Sequence, residues 1–566
     1  MADYNKEYFN EIIGILKKKT LSKQEISNLK TRLCRKYKID IPTDIRILLS
    51  ADAKDRRLLK HLITKPTRTI SGVAVCAIMT KPIKCPHGKC TICPGGPGSI
   101  FGDMPQSYTG KEPAARRAIR NNFDPYLQVM NRLEQYIMTG HVPDKLELII
   151  MGGTFPSFKK TYQDYFIKYA LKAMNDFSKM FFRNDNLNLE NFKKFFEMPG
   201  NFQDDARVKR IQNKLIKLKN KTTLEKEQKR NENSKIRCVG LTIETRPDFA
   251  KQKHANQMLR LGATRVELGV QTAYDNILEK IERGHTVKDS IDATKTLKNL
   301  GFKINYHMMI GLPGSGRKKD INSFKKIFSD QSFRPDMLKI YPCMVLKGTK
   351  LYELWKDKKY IPTTTEEAVG IITEIKRFVP LYVRIMRVQR DIPTYLTEAG
   401  VNKTNLRQYI EKELKEKKRK CNCIRCREIG HKLKKEKINL KNIKLKVLEY
   451  DASNGKEFFI SYEDVKNNAL IGFCRLRFPS QSLRKEITGK STLIRELHVF
   501  GSAISIGKKG DIQHAGYGKK ILKKAEDISK KNKKNKIVVI SGIGVRNYYR
   551  KLGYKKQGPY MVKYLK

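Results

Sequence analysis

Acidic side chains are in short supply. Asp and Glu number 57 against 117 Lys and Arg, which leaves a formal charge of +60. An excess of that size suits a polyanionic partner, nucleic acid first. A lysine-rich coding background accounts for part of it, because Lys, Asn and Ile are abundant throughout. Long apolar runs are missing too. None approaches the length of a membrane span, and the start Met-Ala-Asp-Tyr-Asn-Lys carries no basic-then-apolar leader. The expectation is a soluble, cytoplasmic, oxygen-sensitive protein with no membrane partner. Cysteine is sparse, eleven in 566 residues, and clustered, which argues against a secreted disulfide scaffold and points to metal. With 39% hydrophobic residues the chain has enough apolar material for real cores, and its length calls for more than one domain.

Three cysteines fall within nine residues, Cys85-Pro-His-Gly-Lys-Cys90-Thr-Ile-Cys93, followed at once by Pro94-Gly95-Gly96. That is too tight for a disulfide framework. An iron–sulfur cluster usually takes four thiolates, so three leave one iron open to a substrate or cofactor. The loop therefore reads as a catalytic cluster and not an electron wire. A zinc knuckle with a distant fourth ligand such as His87 is the alternative.

Around this loop the chain divides into four parts. Residues 1–70 read as basic helices, with Phe9, Ile12, Ile13 and Leu16 on one face and Arg32, Arg35, Lys36 and Lys38 after them. They suit a nucleic-acid-binding arm or a solvated cap. From 71 to 395 short apolar runs alternate with amphipathic stretches. Six strands are expected, at 72–79, 146–151, 237–243, 265–270, 304–310 and 336–341, with helices at 113–139, 249–261, 286–300 and 320–329. That alternation implies an α/β fold with a parallel sheet of right-handed units, whose chemistry gathers at the C-terminal strand ends. Residues 180–235, with Lys209, Lys214, Lys217, Lys219 and Lys221, interrupt the rhythm as a helical or disordered insertion. Residues 396–440 form a basic connector containing Cys421-Asn-Cys423-Ile-Arg-Cys426, whose spacing is zinc-like. His431 is one candidate for a fourth ligand, and three unligated thiols are the alternative. From 441 to 566, four strands, a helix at 517–531, a strand at 537–541, a short helix at 545–552 and a last strand at 560–565 suggest a compact α+β domain.

Four consecutive strand ends carry groups able to hold a ligand. They are Gly152-Gly153-Thr154, Glu244-Thr-Arg246-Pro-Asp248, Gln271-Thr272 and Gly311-Leu-Pro-Gly314. Ordinary turn chemistry explains each one alone. Together they line one mouth, beside the cysteine loop.

The stretches Gln106-Ser-Tyr-Thr-Gly-Lys-Glu-Pro113, Ile150-Met-Gly-Gly-Thr-Phe155 and Thr242-Ile-Glu-Thr-Arg-Pro-Asp248 resemble the catalytic subunit of Elongator, a family of tRNA wobble-uridine carboxymethyl synthases also described as tRNA acetyltransferases. The cysteine loop resembles the archaeal and bacterial members, whose first two cysteines are spaced more widely than in most radical S-adenosylmethionine (SAM) enzymes. The resemblance runs from about residue 70 onward and is weakest in the N-terminal arm and in 180–235. It implies a partial (β/α)6 radical SAM barrel in which Cys85, Cys90 and Cys93 bind [4Fe–4S] and the open iron chelates SAM. Gly152, Gly153, Thr154, Glu244 and Gln271 would shape the SAM pocket. As proposed for the family, a deoxyadenosyl radical takes hydrogen from the methyl of acetyl-CoA, the carbon radical adds to C5 of the wobble uridine, and thioester hydrolysis leaves carboxymethyluridine. Lys145 matches a lysine with which the family contacts acetyl-CoA. The implied partners are the tRNA anticodon stem-loop, gripped in part by the N-terminal arm, and an electron donor. A homodimer stays open. The connector cysteines, absent from many eukaryotic members, put the chain nearer prokaryotic ones and favour a stand-alone enzyme with structural zinc.

The C-terminal domain adds a second resemblance. Gln513-His-Ala-Gly516-Tyr517-Gly518 is similar to the pyrophosphate loop of the GNAT acetyltransferases. Glycines expose backbone N–H groups there, and a helix N-terminus adds partial positive charge for the diphosphate of coenzyme A. Glu496-Leu497-His498-Val499 on the preceding strand would face the pantetheine arm, and Tyr549, ahead of Tyr548, would bring a hydroxyl near the thioester. Two other functions stay in view. One is a protein lysine acetyltransferase with a purely structural cluster, for which Glu496 is the one general-base candidate. The other is a non-catalytic tRNA-binding scaffold.

Overall fold

The computed structural model describes residues 2–52, 54–64, 72–198, 200, 204–433, 442–500 and 516–565. Gln513, His514 and Ala515 of the expected pyrophosphate loop lie outside them.

The central unit is a curled, open sheet of seven parallel strands in sequence order. They are β1 (Ala74–Met79), β2 (Lys145–Met151), β3 (Arg237–Thr245), β4 (Arg265–Gln271), β5 (Lys303–Ile310), β6 (Met337–Pro342) and β7 (Arg384–Arg387). Each pairs with its sequence neighbour, for example Ala74 with Leu146 and Met337 with Asn305. The first six are the expected ones. The seventh corrects the six-stranded expectation: Arg384 and Arg387 flank only Ile385 and Met386, so no apolar run announces it. Helices cover the outer face, and their starts are written in the sequence. Asp124 caps the helix Pro125–Met138, and the Thr286/Asp289 and Thr364/Glu367 capping boxes open Val287–Asn299 and Thr365–Arg377.

The N-terminal segment is more than an arm. Helices at Ala2–Lys18, Lys23–Tyr37 and Asp44–Ser50 close over a core of their own, including Tyr8, Ile12, Leu16, Leu29, Leu33 and Leu48. The described part of 180–235 is helical and packed, not disordered. Phe192, Phe196, Ile211 and Leu215 join the main core, and buried Arg207 pairs with Glu134 at 3.0 Å.

The C-terminal domain is a seven-stranded sheet built from β8 (Ile443–Ala452), β9 (Gly455–Asp464), β10 (Ala469–Phe478), β11 (Ser491–Val499), β12 (Lys536–Val539), β13 (Lys555–Gln557) and β14 (Tyr560–Tyr564). Its order is β8-β9-β10-β11-β12-β14-β13. All pairs are antiparallel except β11 with β12. That parallel pairing stops at Ile494–Val539, so β11 runs on from Arg495 to Val499 without β12 beside it. The gap between the two strands opens toward the barrel.

A buried charge network joins the two domains. Arg495 of β11 forks onto Asp336, just before β6, at 2.6 and 2.7 Å and reaches Glu457 of β9 at 2.9 Å. Lys298 lies 3.8 Å from Asp336 and 3.5 Å from Glu457, and Arg477 holds Glu457 at 3.0 Å. All five side chains are fully buried. Burial opposes ionisation of Asp336, but Arg495, Lys298 and Arg475 outweigh it and hold the carboxyl far below the usual range. At Gly542 the contact is so close that a Cβ would overlap the Val239 carbonyl oxygen of β3.

Candidate active site

Two groups of expected site residues gather at opposite ends of the barrel sheet. At the C-terminal end the cysteine loop follows β1. Thr154 Oγ1 lies 3.5 Å from Cys85 Sγ, and a Cβ on Gly153 would come within 3.7 Å of the same sulfur. Gly152 has φ +116°, and Thr80 Oγ1 donates to its carbonyl at 3.0 Å, which leaves no room for a side chain. Gln271, at the end of β4, is itself left-handed with φ +69°. The Gln106–Thr109 segment doubles back along the loop. Cys85 N–H donates to Gln106 Oε1 at 2.6 Å, Gln106 Nε2 donates to the Gly88 carbonyl at 3.0 Å, and Ser107 N–H donates to Cys93 Sγ at 3.2 Å. Tyr108 hydroxyl donates to Glu244 Oε2 at 2.9 Å. Burial pushes the Cys85 and Cys93 thiols up.

The sulfur spacing separates the two cysteine groups. Cys421, Cys423 and Cys426 bring their sulfurs within 4.8 Å of one another, close to the roughly 3.8 Å that a single tetrahedral zinc with 2.3 Å bonds requires. Cys85, Cys90 and Cys93 form no such group, alone or with His87, among the described residues. Wider spacing is what a cluster needs when each thiolate takes a different iron. The zinc alternative for the first group therefore lacks its geometry. His431 does not join the second group. Its Nε2 is 4.0 Å from Glu428 and it lines a cavity instead. Lys376 stands 3.8 Å from Cys426, and burial opposes its charge while the three thiols raise its pKa.

That cavity, about 830 Å³, is the second site. It lies at the N-terminal ends of the barrel strands and opens into the gap between β11 and β12. Lys145, Glu496, Leu497, His498, Val499, Gly516, Gly518 and Tyr549 all line it. Gly516, with φ +87°, opens the helix Tyr517–Lys531. Tyr517 does not line the cavity; its ring meets Tyr462 edge-on at 5.1 Å. Glu496 is tied to Arg475 at 2.9 Å. Burial opposes its charge, but Lys303, Arg475 and His498 hold it below the usual range. Tyr548 lines the cavity beside Tyr549, and its hydroxyl lies near Gly518, where an added Cβ would come within 3.2 Å of it. Burial raises Tyr548 to about 12 and Tyr549 further, so both stay protonated at neutral pH.

Between the two ends, the inside of the barrel is wired by charge. Glu147 and Arg265 line the cavity and pair at 2.7 Å. Arg265 reaches Glu267 at 3.3 Å, Glu267 pairs with Lys339 and lies 2.7 Å from His307 Nε2, and Lys339 reaches Glu244 at 3.3 Å. Of these residues sequence reasoning singled out Glu244 alone and passed over the others. Their only signal was a polar side chain at alternate positions of otherwise apolar strands.

The Radical SAM superfamily model matches residues 82–324, the Radical SAM C-terminal domain residues 335–416, and the ELP3 N-terminal domain residues 5–70, the region where motif resemblance was weakest. The tRNA uridine(34) acetyltransferase of Methanocaldococcus jannaschii is 49% identical over 97% of this chain and 95% of its own. Elongator complex protein 3 of Saccharomyces cerevisiae is 39% identical over 98% and 94%. The solved structure of Methanocaldococcus infernus Elp3 lacking residues 1–46 superposes with a TM-score of 0.72 at 44% identity, over 88% of this chain and all of that one. The chain belongs to the Elongator complex protein 3 family, with a radical SAM domain followed by a C-terminal α+β domain.

Proposed function

We propose that this protein modifies the wobble uridine of tRNA by installing a carboxymethyl group on C5, with both carbons drawn from acetyl-CoA. The observation that carries the reading is the pairing, in one chain, of a three-cysteine mouth with a large cavity at the other end of the same sheet. The names of the relatives, which specify uridine 34 of tRNA, supply the substrate class.

Cys85, Cys90 and Cys93 would hold [4Fe–4S], and Gly152, Gly153, Thr154, Glu244 and Gln271 would shape the SAM pocket beside it. Bound there, the cluster and SAM supply a deoxyadenosyl radical able to take hydrogen from an unactivated methyl group. The chain's own residues do the rest. Gly516, Gly518 and the start of the following helix offer backbone N–H groups to the diphosphate of coenzyme A. The β11–β12 gap admits the pantetheine arm. Lys145, at the start of β2, faces the same space. Tyr548 and Tyr549 keep their protons and so can donate to the thioester. The basic N-terminal helices and the mouth suit the anticodon stem-loop, with affinity falling as salt rises. An external electron donor is required, and the cytoplasm is where such a substrate is met.

Lysine acetylation is the weaker reading. Its general base would be Glu496, which is already tied to Arg475 and held below the range useful at neutral pH.

Gly516→Glu tests the division of labour, because it sets a carboxylate where the diphosphate would bind. The variant should lose acetyl-CoA consumption and carboxymethyluridine while still forming deoxyadenosine from SAM. Unchanged acetyl-CoA turnover would remove the C-terminal domain from the reaction. Cys421, Cys423 and Cys426 are further proposed to hold structural zinc. Metal analysis should find about one zinc per chain, retained when Cys85, Cys90 and Cys93 are all serine and lost in Cys423→Ser. Zinc retained in Cys423→Ser would contradict it.

A further inference from the structure

The loop at residues 281–285 takes no part in the reading above, yet it packs directly on the cysteine loop. Thr91 N–H donates to the Ile281 carbonyl at 3.1 Å, and Thr91 Oγ1 donates to Glu282 at 3.3 Å. A Cβ on Gly284 would lie 2.7 Å from Cβ of His87. From this loop Arg283 extends Nη1 to Cys90 Sγ at 3.5 Å and Nη2 to the Gly269 carbonyl at 3.2 Å. The second bond fixes the guanidinium from behind. Its Nε is buried without a hydrogen-bond partner, and no carboxylate stands within ion-pair distance of it among the described residues.

Arg246 is a second cation at the same place. It is 3% exposed, gripped by Asp248 at 2.8 and 2.9 Å, and its Nη1 is also buried without a partner. Arg246 is buried and Arg283 half-buried, and Asp248 is the one carboxylate paired with either of them among the described residues. The Cys90 sulfur is the cluster-ligand atom within reach of Arg283.

We infer that Arg283 tunes the reduction potential of the cluster held by Cys85, Cys90 and Cys93, by donating a hydrogen bond to the Cys90 sulfur. The inference rests on the cluster reading. Hydrogen bonds to ligand sulfurs and net charge set iron–sulfur potentials. Reduction adds one electron from the external donor and so one negative charge. A fixed, permanently protonated cation at this distance favours the reduced state. No residue changes oxidation state, and no proton moves.

The test is a redox titration of the reconstituted full-length protein, followed by electron paramagnetic resonance in the absence of SAM. Arg283→Gln keeps a donor but loses the charge. It should shift the reduction equilibrium at least roughly tenfold toward the oxidised state, a fall of 59 mV for one electron, at unchanged iron content. Arg283→Lys should recover most of the wild-type value. Equal midpoints for Arg283→Gln and wild type without SAM would overturn the inference, and would leave Arg283 at most a ligand to SAM. A second measurement does not depend on how the variants fold. Wild-type protein labelled with 15N in its arginine guanidinium groups should show 15N coupling to the reduced, SAM-free cluster; absence of coupling would overturn the inference equally. A wild-type protein that takes up no iron would instead overturn the cluster reading itself.

Discussion

Cys90→Ser should abolish the proposed carboxymethyluridine formation and leave tRNA binding nearly intact. The argument begins with how tightly that sulfur is held. Cys90 is buried, its Sγ lies 3.0 Å from His87 Nε2, and Arg283 donates to it at 3.5 Å. A serine at that position has no sulfur to offer the iron, and the thiolate is the metal ligand. With three protein ligands and one iron left open, there is no spare thiolate to replace it. The basic N-terminal helices, proposed above to bind RNA, carry a core of their own, so the variant should keep that surface. Iron analysis, nucleoside mass spectrometry and a gel-shift titration check the three parts separately. Wild-type modification in this variant would sink the cluster assignment.

Asp336→Ala should cost about 3–5 kcal/mol of stability and loosen the proposed acetyl-CoA site. Asp336 is paired with Arg495, Lys298 and Arg475 at the domain junction, where all four side chains are buried. Removing it leaves buried cations without their counter-ion, and that penalty exceeds the net worth of the pairs themselves. Arg495 also lines the cavity next to Glu496, so loss of its anchor should raise the KM for acetyl-CoA more than it changes SAM cleavage. Asp336→Asn, equal in shape, should behave nearly the same, because charge and not volume is what is lost. The pH dependence follows from the depressed carboxyl. Its contribution is full above the ordinary value of about 3.9 and is lost only as pH falls toward the lower folded value, so wild type and variant should converge only in strong acid. Denaturant unfolding at neutral pH measures the difference. A change under about 1 kcal/mol would mean that the network is not what fixes the domains.

Six barrel strands were legible because each is an apolar, β-branched run long enough to be seen without its partners. The seventh was not, since Ile385 and Met386 between arginines gain their meaning only from β6 beside them. The cysteine loop and the strand-end glycines were legible for the opposite reason. Their chemistry is local, and nine contiguous residues suffice to state it. Arg283 was invisible because its partner Cys90 lies 193 residues away, and Glu-Arg-Gly-His in isolation is only a polar turn. The ion-pair chain from Glu147 to Glu244 was hidden likewise, spread one or two residues per strand over β2 to β6. Tyr548 and Tyr549 are adjacent in sequence and both line the cavity, so their order alone does not separate their roles. The N-terminal core escaped notice because its apolar residues are diluted among lysines and close up only when three helices meet.

The most direct test of the central claim is isotopic. The protein, reconstituted with iron without oxygen, is incubated with dithionite, SAM, tRNA and acetyl-CoA carrying 13C at both acetyl carbons, and the digested nucleosides are weighed by mass spectrometry. The account predicts carboxymethyluridine at position 34 with both labelled carbons, absent in Cys90→Ser and in Gly516→Glu separately. Labelled acetate released without any modified uridine would contradict it.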